Sequence, residues 1–290
     1  MTSIAVIGPG AVGGTVAAWL AQNASHAVTV CVRTPFETLA VETPEGPITA
    51  APRVVTSPEG LSPVDWVLVA TKTYDTDGTL AWLATLVGPE TRVAILRNGV
   101  EHTVPFASRI AAENLVPAVV DIPAERSAPG RVLQRRNGWI KVPAGAGGQA
   151  FAALFAHTPI ELHTVDDFTT EAWKKLALNC AGAVNALTLK PAGVVHDAGA
   201  ADVMRALVRE CVAVGRVEGA DLSDDLAEQV IEGYRGHAPD SMNSLHADRV
   251  AGRPMELDAR NGVIVRKGAA HGIETPANAM VVALLNAAAS

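Results

Sequence analysis

Four apolar residues, Ile4-Ala5-Val6-Ile7, run directly into Gly8-Pro9-Gly10-Ala11-Val12-Gly13-Gly14. That order dictates a strand, a tight turn and a helix, and it constrains the fold more than any other stretch of the chain. Gly8 permits the turn, Gly10 lets the backbone approach a pyrophosphate, and Gly13 lets the new helix lie close on a sheet. The helix start then offers unpaired N–H groups and the positive end of its dipole to an anion. A lone G-x-G-x-x-G also occurs in purely structural turns. The setting selects the dinucleotide reading: an alanine-rich helix from Ala11 to Gln22 follows, and then an apolar strand from Ala27 to Val32. Gly8, Pro9, Gly10, Ala11, Val12 and Gly13 are the expected cofactor loop.

The second strand decides which dinucleotide. In NAD-binding folds of this kind an acidic residue at its end holds the ribose 2′-hydroxyl, whereas a nearby arginine suits a 2′-phosphate. This strand ends Cys31-Val32-Arg33-Thr34, with no acid before Glu37. A guanidinium matches phosphate geometry, so NADP(H) is the expected cofactor with Arg33 on its phosphate. The alternative is an arginine simply solvated at a strand end.

Further along, Glu42 to Pro58 reads as a loop with short extended pieces, and order returns with a strand from Asp65 to Thr71 ending in Lys72. A helix over Thr79–Val87, a strand over Arg92–Leu96 ending at Asn98-Gly99, and a further strand over Leu115–Ile122 complete an alternation that predicts a doubly wound, mostly parallel sheet. Arg131 to Val142 reads as short antiparallel strands around Asn137-Gly138, a hairpin-turn dipeptide. A helix over Gln149–His157 and an edge strand over Ile160–His163 follow. From Asp166 the pattern is helical, with stops near Gly193, Gly219, Gly236 and Gly272. The expected architecture is therefore an α/β Rossmann domain over residues 1–165 and an all-α domain over 166–290.

Lys175 and Asn179 stand four apart on one helix face, while Trp173, Leu176 and Cys180 have the spacing of a buried stripe. On spacing alone, a solvated face pairing Glu171 with Lys175 is the better account of the lysine. Glu256 likewise reads as a first-turn carboxylate of a helix opened by Pro254, able to pair with Arg260.

A resemblance adds to these readings. Trp173-Lys174-Lys175-Leu176-Ala177-Leu178-Asn179, then Asn185-Ala186-Leu187-Thr188, is similar to the signature of the ketopantoate reductases. Gly8 to Gly13, Lys72, Asn98-Gly99, the run from Gly252 to Gly262 and His271-Gly272-Ile273-Glu274-Thr275-Pro276 extend it along nearly the whole chain. The resemblance implies a Rossmann domain, a helical domain and a substrate cleft between them, in which NADPH reduces a 2-oxo acid, ketopantoate in the route to pantothenate and coenzyme A, to a 2-hydroxy acid. It implies Lys175 as general acid and Glu256 as the group that holds the substrate hydroxyl or positions Lys175. Asn98, Asn179, Asn185 and Ser244 would contact substrate, while Arg33, Lys72, Asn98 and Glu256 join the glycine loop at the cofactor. The chemistry wants such groups, because hydride addition builds negative charge on oxygen.

Two features depart from the family pattern. Five residues separate Asn179 from Asn185 where the family usually has three, so a continuous helix turns Asn185 about 240° away, unless it is broken near Gly182. His246, in Asn243-Ser244-Leu245-His246, is unexpected and reads as an exposed or capping histidine. Either departure also fits a reductase of another 2-oxo acid. A dinucleotide sensor without turnover is a further alternative, although a sensor needs no proton donor.

Composition narrows the partners. A net charge of −7 argues against nucleic acid, and three widely spaced cysteines suggest buried thiols, with neither a disulfide framework nor a metal site. No apolar run approaches a membrane span, so the expectation is a cytoplasmic enzyme of a small molecule, with a homodimer left open.

Overall fold

The computed structural model describes residues 1–289. They form two compact units, Met1–Arg97 with Glu101–Phe168, and Asn98–Val100 with the residues from Thr169 onward. The first unit opens with β1 (Thr2–Ile7), α1 (Ala11–Leu20) and β2 (His26–Cys31), followed by β3 (Leu39–Glu42), β4 (Ile48–Ala50) and β5 (Arg53–Val55). Next come β6 (Trp66–Val69), α2 (Thr76–Leu86), β7 (Arg92–Ile95), β8 (Leu115–Pro117) and β9 (Val119–Asp121). The unit closes with β10 (Ala124–Ala128), β11 (Arg131–Gln134), β12 (Trp139–Pro143), α3 (Ala146–Leu154) and β13 (Glu161–Val165).

Six strands in the order β5-β2-β1-β6-β7-β8 make one sheet, and every neighbouring pair in it is parallel. A parallel sheet covered on both faces needs strands that are apolar throughout. β1 meets that demand: Ile4 and Val6 enter one core cluster with α1 and α3, while Ala5 and Ile7 enter another with Leu83, Leu86 and Phe106. β6 and β7 alternate in the same way. The α/β reading of this half agrees with the structure.

Two expectations need correction. Leu115–Ile122 is not one strand: β8 ends the large sheet, and β9 pairs antiparallel with β12 in a separate three-stranded sheet. Pro117 has no N–H to carry a ladder further and sits in the edge strand β8, where that is tolerated. Nor do β11 and β12 form a hairpin around Asn137-Gly138. β11 pairs with β10 and β3, and β12 with β9 and β13. The buried Gln134 side chain explains the divergence: its Nε2 donates to the carbonyls of Arg136 (3.0 Å) and Asn137 (3.1 Å), and its Oε1 accepts from Trp19 Nε1 (2.8 Å). The turn is thereby tied to α1 and hands the chain to another sheet.

The second unit contains α4 (Phe168–Ala181), α5 (Ala183–Thr188), α6 (Ala198–Val217), α7 (Leu226–Arg235), α8 (Ser244–Val250), α9 (Val263–Ala270) and α10 (Pro276–Ala289). Trp173, Leu176 and Cys180 enter a core with Met204, Leu207 and Cys211 of α6, so the stripe read on α4 is buried. Among the described residues no helix is long and apolar enough to cross a membrane.

Candidate functional site

The glycine loop lies between β1 and α1. Gly8 has φ +80°, and a Cβ there would meet Thr71 Cγ2 at 2.6 Å; at Gly13 it would meet the Gly8 carbonyl oxygen at 2.5 Å and Ala70 Cβ at 2.8 Å. Both positions thus require glycine for close packing. Gly10 differs, since nothing beyond its neighbours lies nearer than 3.9 Å to a Cβ built there, and no side chain caps α1. An open backbone surface beside an uncapped helix start fits a pyrophosphate. Pro9 completes the turn, and Ala11 and Val12 open α1.

Arg33 stands two residues beyond β2 with its side chain 88% exposed, 3.7 Å from the Asp75 carboxylate. Such an exposed pair contributes little and is readily exchanged for another anion. Lys72, half-buried, follows β6, and its carbonyl accepts from Asp75 N–H at 3.0 Å. Sequence reasoning passed over Arg97, which is buried. Its guanidinium donates to the hydroxyls of Thr71, Thr76 and Thr79 and lies over the Phe106 ring, bracing Thr71 against Gly8. The signal available was a cation ending an otherwise apolar strand.

In the second unit Asn179 Nδ2 donates to Asn98 Oδ1 at 3.4 Å, and Asn98 Nδ2 donates to Glu256 Oε2 at 3.1 Å. Residues drawn from three distant stretches of chain are brought together this way. Lys175 is half-buried one turn before Asn179 and shares its face. Glu171 accepts from the exposed Lys174 at 3.3 Å.

Glu256 is not in the first turn of a helix opened by Pro254. Residues 253–257 have no regular secondary structure, and the helical path begins with a π-helical turn at Asp258–Gly262 that continues into α9. Arg253 holds that coil off the helix, its N–H donating to the Asp248 carbonyl at 2.8 Å and its Nε to the Asp248 carboxylate at 3.0 Å. Glu256 is 4% exposed and faces the guanidinium of Arg260, itself 2% exposed. Burial lowers the pKa of Arg260, and the carboxylates of Glu256 and Asp248 work against that shift. Arg260 Nη2 donates to Ser244 Oγ at 2.7 Å.

Asn185 falls outside this cluster. The helix is interrupted at Gly182, as lining a site would require, yet Asn185 is buried and its amide is spent on the fold. Its Nδ2 donates to the carbonyls of Lys190 and Pro191, and its Oδ1 accepts from Asn243 Nδ2. His246 is not exposed either: it is 2% accessible, burial lowers its pKa, and its backbone N–H is the one capped by Asn243. The first turn of α8 packs inward here, which a single polar residue could not reveal.

Residues 4–147 match the family described as ketopantoate reductase PanE/ApbA, and residues 167–289 match its C-terminal part. A 2-dehydropantoate 2-reductase of Caulobacter vibrioides is 82% identical over 289 residues, covering 100% of each chain. A PanE/ApbA family ketopantoate reductase from Ralstonia eutropha has the same fold, with a TM-score of 0.91 at 32% identity over 99% of this chain and 98% of that one. A dimeric ketopantoate reductase from Staphylococcus aureus gives 0.87 at 25% identity over 99% and 98%. These matches run through the glycine loop of the first unit and the carboxamide–carboxylate cluster of the second alike, so the chain belongs to the ketopantoate reductase family of dinucleotide-dependent oxidoreductases.

Proposed function

We propose that this protein uses NADPH to reduce 2-dehydropantoate to pantoate, with Lys175 as proton donor. The observation that carries the reading is the Asn179–Asn98–Glu256 chain of hydrogen bonds beside the face that bears Lys175. The glycine loop would hold the cofactor's pyrophosphate, and the bound nicotinamide would supply the hydride for the carbonyl carbon of the substrate. Negative charge then develops on the carbonyl oxygen, and the Lys175 ammonium stabilises it and gives up a proton to it. Glu256 orients that ammonium or the new hydroxyl, and Asn98, fixed by Glu256, offers its carboxamide to the same oxygen or to the cofactor. The reading includes a cytoplasmic location, to which three buried, unbridged cysteines are suited.

Oxidation of NADPH measured against a panel of branched 2-oxo acids tests the substrate. 2-Dehydropantoate is expected to give the highest kcat/KM, and a better turnover of another acid would replace it.

Cofactor choice rests on Arg33. Arg33→Ala is expected to weaken NADPH by roughly 1.5–3 kcal/mol, the worth of hydrogen bonds to a charged group, and to leave NADH nearly unchanged. Isothermal titration decides it: equal affinity of the unmutated protein for both cofactors would reject the assignment.

A further inference from the structure

Arg260 is a cation in a place where packing gives no reason for one. It is 2% exposed, and its Nε and Nη1 find no hydrogen-bond acceptor among the described residues. For packing alone, an apolar side chain of similar length would serve at least as well, because a buried ion loses its hydration and recovers it only through good partners. The carboxylates of Glu256, from the preceding coil, and Asp248, from α8, face it, with the Tyr234 phenol of α7 and the Cys180 thiol of α4 nearby. Its Nη2 donates to Ser244 Oγ at 2.7 Å. Ser244 itself is exposed, in the first turn of α8.

That bond has a fixed direction. A guanidinium has only donors and keeps its charge, whereas a hydroxyl has one proton and two lone pairs. Ser244 Oγ must therefore accept from Arg260, and its own proton is left to point elsewhere. We propose that Arg260 is a positioning residue that holds the Ser244 hydroxyl as a hydrogen-bond donor to the 2-oxo acid. The carboxylate and ketone oxygens of such a substrate only accept, so a hydroxyl locked as donor suits them and a freely rotating one suits them less. Accepting a bond from a cation also polarises the O–H and strengthens the bond it donates. The π-helical turn at Asp258–Gly262 carries Arg260 and so sets this contact.

The inference rests on the proposed reduction of 2-dehydropantoate, and turnover of that acid by the unmutated protein, measured first, reports on the functional reading alone. The inference is then tested by a double-mutant cycle in KM. Arg260→Met and Ser244→Ala are each expected to raise KM for 2-dehydropantoate roughly ten- to hundredfold, the loss expected of a charge-assisted hydrogen bond, with a much smaller change in kcat. The double variant should be no worse than either single one, and Arg260→Lys should recover part of the loss. A purely structural Arg260 would lower thermal stability and leave the effect of Ser244→Ala undiminished in its background. Multiplying KM effects in the double variant, or an unchanged KM in Arg260→Met, would overturn the proposal. Should Arg260→Met not fold, the same cycle with Arg260→Lys and Ser244→Ala gives the answer by the same criterion.

Discussion

Lys175→Ala is expected to lower kcat by roughly 10²–10⁴-fold, the usual worth of general acid catalysis, while NADPH affinity changes little. The neighbouring Lys174 is the natural control. It is exposed and paired with Glu171 at 3.3 Å, and successive helical side chains point about 100° apart. Only Lys175 shares the Asn179 face, so Lys174→Ala should change kcat less than about threefold, as for a surface substitution. A proton donor must be charged before the reaction, so the residual rate of Lys175→Ala should also lose the fall at high pH that deprotonation of an ammonium produces. Steady-state kinetics of both variants decide the assignment. Comparable losses at the two positions, or a larger one at Lys174, would mean that another group donates the proton.

Glu256 should fail in two separable ways. Its carboxylate is buried, accepts from Asn98 at 3.1 Å and faces the buried guanidinium of Arg260. Glu256→Gln keeps the shape and an acceptor for Asn98 but removes the charge, and kcat/KM should fall roughly 10–100-fold, in keeping with a lost charged hydrogen bond. Glu256→Ala also removes the acceptor of Asn98 and leaves Asp248 as the carboxylate facing the Arg260 cation. Breaking a buried pair from one side costs roughly 3–5 kcal/mol, an upper bound here because Asp248 remains. Calorimetry alongside kinetics separates the effects. A glutamine variant with full activity would remove Glu256 from the catalytic role, and an alanine variant with an unchanged melting temperature would remove it from the structural one.

What could be read without coordinates was local. The path from Ile4 to Gly13 needs only an apolar run, a turn and a helix start, and the buried stripe Trp173–Leu176–Cys180 needs only helical periodicity. Misreadings came where distant chain decides. Alternation in Leu115–Ile122 cannot show that the chain changes sheets at Pro117, and Asn137-Gly138 looks like a hairpin until Gln134 is seen bonded to Trp19, 115 residues away. Pro254 signals a helix start, yet contacts from Arg253 to Asp248 delay it to Asp258. Arg260 illustrates the limit of the candidate site. Its sequence neighbours mark it as a surface partner for Glu256, whereas the π-helical turn carries it into the interior beside Ser244.

The assignment of Asn98–Val100 to the helical unit bears on how the protein is made. These three residues leave the ribosome between β7 and β8, inside the stretch that builds the first unit, yet Val100 packs on the helical core and Asn98 bonds a carboxylate 158 residues downstream. At ordinary elongation rates of about 5–20 residues per second, Glu256 emerges roughly 8–30 s after Asn98. During synthesis the parallel sheet forms while the partners of this segment do not yet exist, with Val100 a surplus apolar side chain until α4 and the later helices arrive. Three residues made early thus find their partners only in the C-terminal half of the chain.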